Sequence, residues 1–286
     1  MQKSRVGIIG LGLLGSAIAE RLLAANIDFL GWDIAADRRE NFRNLGGQVA
    51  QSAREVAHCD RVMLSLPNSE VVRSVVDDLR PVVKPNTLLI DTTTGDPALT
   101  ESLGSELADR SIGYVDATVA GSSEQARQGD VIVMAGGTRR QFDTCADIFA
   151  AFARRAYHVG DCGSGSRMKL VVNLVLGLNR AVLAEGLLLA AAADVDLAAA
   201  LEILRDSAAY STVMDTKGGK MISEDFATQA RLAQHLKDVE LILDLAARNE
   251  VHLPFSNIHQ RLLKKAVELG FADADNSAII KALQAK

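Results

Sequence analysis

Val6-Gly7-Ile8-Ile9-Gly10-Leu11-Gly12-Leu13-Leu14-Gly15-Ser16-Ala17-Ile18-Ala19 is the stretch whose reading decides the fold of this chain. Val6–Ile9 is an apolar run of strand length, and a helical period takes over at Ser16. Between them Gly10, Leu11, Gly12, Leu13, Leu14 and Gly15 form a GxGxxG loop. The first glycine permits a tight turn, the second lets backbone approach a pyrophosphate, and the third lets helix and strand pack closely. Free N–H groups at the helix start then meet the phosphate charge. About 20 residues on, the next apolar run ends at Trp32-Asp33. A carboxylate there accepts hydrogen bonds from ribose hydroxyls and repels a 2′-phosphate, which favours NAD, with Arg38 and Arg39 close enough to keep NADP open.

Outward from the loop, strand-like runs at 28–32, 61–66, 88–91, 113–117, 131–135 and 156–159 alternate with helical patterns at 16–25, 69–79, 97–109 and 138–153. That rhythm predicts an α/β fold with a doubly wound, mostly parallel sheet of Rossmann type. After Val159 it stops, glycines at 160, 163 and 165 mark a break, and only helical patterns follow, at 167–193, 197–206, 212–221, 227–249, 255–269 and 277–285. Asp196 and Asn276 are the expected caps. Two domains follow: 1–162 binds dinucleotide, and 163–286 is an all-helical substrate and oligomerisation domain.

Bulk composition narrows the function classes. Net charge is −5, which argues against a nucleic-acid surface. Cys59, Cys145 and Cys162 form no CxxC, as expected of reduced thiols in the cytoplasm. The five histidines show no ligand spacing, so no metal is expected. Lys3 and Arg5 before the run from Val6 imitate a signal peptide, but the glycine loop explains that run better. The run 170–193 is long enough to span a bilayer, yet it carries Asn173, Asn179, Arg180 and Glu185, so a buried helix is expected instead.

That helix holds the most informative polar residues. At about 100° per residue, Asn173 lies roughly 40° and Arg180 roughly 20° around from Lys169. A lysine on such a face loses solvation and can exchange protons near neutrality, as alcohol–carbonyl redox chemistry requires of a general base. Spacing leaves a second reading open: a lysine snorkelling from the helix start, with Asn173 a satisfied core amide.

The ordered segments GLGLLG at 10–15, LPNS at 66–69, DTTT at 91–94, DATVAGSSEQARQG at 116–129, GSGSRMKLVVN at 163–173, HLKD at 235–238 and DADNSA at 273–278 resemble the β-hydroxyacid dehydrogenase family. The family includes 3-hydroxyisobutyrate dehydrogenase and tartronate semialdehyde reductase. The resemblance implies that Lys169 is the acid/base and that Asn173 hydrogen-bonds substrate. Gly121 and Ser122 would bind the substrate carboxylate, and Asp238 would border the pocket. Leu66, Pro67 and Thr94 would line the nicotinamide side of the cofactor, with Lys237 reaching towards it. It also implies a homodimer or homotetramer acting on a small hydroxy acid or semialdehyde. The chain departs from the family at Ala120, where many members carry a serine, and at Thr228 and Ala230, where Pro and an aromatic are usual. The alternatives are a non-catalytic dinucleotide-binding module and an imine reductase, the latter disfavoured by Lys169.

Overall fold

The computed structural model describes residues 5–285; Lys3 lies outside the described residues. The N-terminal part runs β1 (Val6–Ile9), α1 (Leu13–Ala24), β2 (Phe29–Trp32), α2 (Ala36–Asn44), β3 (Gln48–Val49), α3 (Ala53–Val56), β4 (Arg61–Leu64) and α4 (Ser69–Leu79). It continues with β5 (Leu88–Asp91), α5 (Pro97–Ala108), β6 (Gly113–Ala120), α6 (Ser123–Gln128), β7 (Ile132–Gly136), α7 (Arg139–Thr144), α8 (Ala146–Phe152) and β8 (Arg155–Gly160). The eight strands form one sheet in the order β3-β2-β1-β4-β5-β6-β7-β8. Neighbours are parallel except β6 and β7. The central strands β1, β4 and β5 are buried along their whole length, as expected of strands covered on both faces. This is the doubly wound Rossmann architecture.

The helical part consists of α9 (Ser164–Ala192), α10 (Leu197–Asp206), α11 (Gly219–Ser223), α12 (Leu232–Arg248), α13 (Pro254–Ala266) and α14 (Ile279–Gln284). The pattern over 212–221 resolves into a π-helical turn at Met214–Gly218 followed by α11. The helix expected from 255 ends at Ala266, and a π-helical segment with Gly270 at φ +91° follows. Asp196 caps α10 as expected, by accepting from Ala199 N. The expected cap Asn276 is corrected to Asp275, whose carboxylate accepts from Ser277 N.

The contacts divide the chain between Lys169 and Leu170. The first turn of α9 therefore belongs with the sheet, because it is hydrogen-bonded there. The burial expected of α9 is not met within a single chain. Only 28% of the most apolar stretch of α9 is buried, and Val171, Val175, Val182 and Leu189 are 49–71% exposed. By length and composition alone α9 could cross a membrane.

Candidate active site

Each glycine of the loop has its own spatial reason. Gly10 takes φ +99°, and a Cβ there would strike the Ser65 carbonyl oxygen at 2.2 Å. A Cβ on Gly15 would strike the Gly10 oxygen at 2.0 Å, whereas one on Gly12 would meet only Arg38 Nη1 at 3.6 Å. Gly12 therefore presents an open face at the start of α1, which has no side-chain cap. Uncapped N–H groups and an open glycine face fit a pyrophosphate. Leu11 is buried in the core, Leu14 is half-buried, and Leu13 is exposed.

Asp33 is 3% exposed. Its Oδ2 accepts from Leu11 N at 2.7 Å and its Oδ1 from Ala35 N at 2.8 Å. The residue expected at the ribose thus also pins the glycine loop to the end of β2. Arg38 Nη1 lies 3.3 Å from the same carboxylate, with half of its side chain exposed. Arg39 instead bonds the carbonyl oxygens of Asp33 and Ile34.

Two loops that follow β4 and β5 are stitched together. Leu66 N donates to Thr93 Oγ1 at 3.1 Å, and Asp96 N donates to Ser69 Oγ at 2.9 Å. These bonds fix the segments carrying Leu66, Pro67 and Thr94. Beside them, Asp91 accepts from Tyr114 Oη at 2.6 Å. Burial pushes the Asp91 carboxyl up to about 6, against the lowering effect of its Thr93 and Tyr114 bonds. A cavity of about 250 Å³ opens here, lined by Ser69, Arg73, Asp91, Thr93, Leu99 and Tyr114 among others.

At the end of β6, Gly121 takes φ +139°. Ser122 opens α6 with a capping box: its Oγ accepts from Gln125 N, and its N donates to Gln125 Oε1 at 2.9 Å. Both residues are exposed. The backbone N–H of Ser122 is therefore engaged, and its hydroxyl proton is the donor left to offer a ligand.

Lys169 is half-buried near the start of α9, and Asn173 follows one turn later on the same helix. In the helical unit, Asn173 Nδ2 donates to Asp238 Oδ2 at 2.9 Å, and both residues are buried. This bond joins two residues expected separately at the substrate. Lys237 is half-buried beside Asp238 on α12. Arg180, the third member of the polar stripe, is 3% exposed, and its Nε and Nη1 have no hydrogen-bond partner among the described residues. Burial brings its guanidinium down to about 10.

Phe226 meets Phe271 edge-on at 5.9 Å, and Ala230 N is held by Asp275 Oδ2. The sequence reading missed Asp116. Its carboxylate is 1% exposed and accepts from Gly163 N at 2.8 Å and Ser166 N at 2.7 Å. Its place in the 116–129 segment was the only signal. Among the described residues no group of three or more His, Cys, Asp or Glu is arranged to hold a metal.

Comparison with known proteins covers both parts of the chain. Residues 5–160 match the NAD-binding domain of 6-phosphogluconate dehydrogenase, and residues 163–283 match the NAD-binding domain of NADP-dependent 3-hydroxyisobutyrate dehydrogenase. The chain is 31% identical to 2-(hydroxymethyl)glutarate dehydrogenase of Eubacterium barkeri, over 98% of this chain and 95% of that one. It is 28% identical to the cytokine-like nuclear factor N-PAC of Anopheles gambiae, of which it spans only 49%. The solved 3-hydroxyisobutyrate dehydrogenase of Salmonella typhimurium superimposes with a TM-score of 0.88 at 27% identity, covering 97% of this chain and 99% of that one.

Proposed function

The chain belongs to the β-hydroxyacid dehydrogenase family, a group of NAD(P)-dependent oxidoreductases of hydroxy acids, and from that premise we propose a reaction and a residue set. The substrate is a small 3-hydroxy acid or its semialdehyde, of the 3-hydroxyisobutyrate or tartronate semialdehyde class. Residues 1–162 hold the cofactor; residues 163–286 contribute to the substrate site and to assembly.

When bound, the nicotinamide supplies the hydride acceptor or donor. The chain's own residues do the rest. The Gly10–Gly15 loop and the start of α1 receive the pyrophosphate, and Asp33 receives the ribose hydroxyls, which favours NAD. Leu66, Pro67 and Thr94 flank the nicotinamide, and Lys237 reaches the cofactor. The Lys169 amine takes the hydroxyl proton during oxidation and returns it during reduction. Asn173, oriented by Asp238, hydrogen-bonds the same hydroxyl. Gly121 and the Ser122 hydroxyl hold the carboxylate.

The observation that carries this reading is a titratable amine and a carboxylate-oriented amide one turn apart on one helix. A panel of 3-hydroxyisobutyrate, L-threonate, 2-(hydroxymethyl)glutarate and small semialdehydes, assayed with NAD(H) and NADP(H) at the nicotinamide absorbance, tests it. Lys169→Ala should bind NAD(H) normally and lose at least about 10²-fold in kcat, with partial recovery on adding ethylamine. Near-normal turnover by that variant removes Lys169 from the mechanism. No turnover by the wild type across the panel would favour a purely binding role.

A second copy of the chain covers the exposed apolar face of α9, giving a homodimer or homotetramer. The free thiols Cys59, Cys145 and Cys162 support a cytoplasmic location, which fractionation of the source cells tests.

A further inference from the structure

We propose that Asp116 is a positioning residue for Lys169, holding the lysine's helix in place from the strand that also carries the carboxylate-binding turn. The proposal rests on the acid/base role of Lys169.

The first N–H groups of a helix need acceptors, and an anion there also meets the positive end of the helix dipole. Usually a local Ser, Thr, Asp or Asn provides them. The residue before α9 is Gly163, at φ +91°, which has no side chain to offer. Ser164 N finds the Asp161 carbonyl oxygen, and Asp116 provides two acceptors from a distance, one carboxylate oxygen to Gly163 N and the other to Ser166 N. A local cap would stabilise α9 without saying where it lies. A carboxylate anchored on β6 stabilises the helix start and also fixes the place of its first turn on the sheet.

A second bond repeats the arrangement. Thr118, on the same side of β6 by the strand period of two, donates its Oγ1 hydrogen to Gly165 O at 2.9 Å. The packing between them leaves no slack. A Cβ on Gly165 would strike Asp116 O at 2.3 Å and Met134 O at 2.6 Å, and one on Gly136 would strike Asp116 Oδ1 at 2.4 Å. Gly136 is the residue paired with Asp116 across the sheet. The first turn of α9 thus rests directly on backbone. Lys169 follows Ser166 by three residues, close to one helical turn. In the other direction β6 runs to Ala120, and Gly121 and Ser122 follow directly. One strand therefore sets both the amine and the proposed carboxylate site.

Asp116→Asn keeps the shape but turns one acceptor into an amide facing an N–H. It should lower kcat about 10- to 100-fold, the scale of a roughly 1 Å misplacement. KM for the fastest acid of the panel and Kd for NAD(H) should stay within about twofold of wild type. Thr118→Val should show the same pattern with a smaller drop. Because Asp116 acts through the lysine, its effect should vanish in the Lys169→Ala background, measured on ethylamine-supported turnover. Wild-type kcat in both single variants, or the same fold loss with and without Lys169, overturns the proposal. If Asp116→Asn fails to bind NAD(H) and is unfolded, Thr118→Val decides alone. Retained activity in Lys169→Ala is a different result: it removes the acid/base reading and this proposal with it.

Discussion

Asp33 does two jobs with one carboxylate, and they pull a substitution in different directions. Its oxygens hold Leu11 N and Ala35 N, so the glycine loop depends on it. Its charge also stands where a 2′-phosphate would sit, with Arg38 at 3.3 Å. Asp33→Ser should lower kcat/KM with NAD by at least about tenfold, because the ribose acceptor and the loop contact are both weakened. It should also move the NAD:NADP ratio towards NADP, since the repulsion is gone and Arg38 is released from its partner. The ratio of kcat/KM values reads this directly. A loss that is equal for both cofactors would leave Asp33 as a loop anchor only.

At the scale of one element, α9 is two helices in chemistry. Leu170, Asn173, Gly177, Arg180, Ala184 and Leu187 are buried, at alternating spacings of three and four. The other face carries Val175, Val182 and Leu189, spaced seven apart and 52–71% exposed. Each such side chain gains about 1.5–3 kcal/mol on full burial, so a stripe of them favours association. A bilayer fits less well, because the buried face carries Asn173 and Arg180. Wild-type protein should therefore sediment as a dimer or tetramer without detergent. Replacing Val182 and Leu189 together by Glu should shift it towards monomer. A wild-type monomer at micromolar concentration sinks the assembly, and partition into lipid vesicles would favour a membrane instead.

For the molecule as a whole, two buried carboxyls set opposite pH limits. Asp275 is fully buried and binds Lys217 Nζ, Ser277 and the backbone N–H groups of Gln229 and Ala230. Burial alone would raise its carboxyl, but the bonds from Lys217 and Ser277 outweigh that and carry it down to about 2. Its stabilisation is complete above the ordinary aspartate range of about 4 and disappears as pH falls through about 2. Asp91 works the other way: burial raises it to about 6, so its contribution is full below about 4 and is lost as pH climbs through about 6. Thermal melts from pH 2 to 5 should show Tm falling steeply at the acid end. Asp275→Asn should start from a lower Tm and lose that slope; an unchanged slope would show that other groups set the acid limit.

Local pattern carried the sequence a long way. Loop glycines, strand-length apolar runs and the change of period near residue 160 determine a Rossmann sheet followed by helices, because those signals depend on near neighbours along the chain. Elements without an apolar stripe escaped notice. β3 has two residues, and α2 buries only Phe42. α6 is short, although Ser122 and Gln125 have the spacing of a capping box. The expected helix 138–153 breaks at Cys145, where its apolar pattern runs on without interruption. Lys169 and Asn173 could be placed on one helical face from spacing. That Asn173 finds Asp238, that Asp116 grips the start of α9, and that one face of α9 stays uncovered were decided by tertiary structure. Periodicity records which side of an element is apolar, whereas partners 47 to 65 residues away are chosen only when the chain packs.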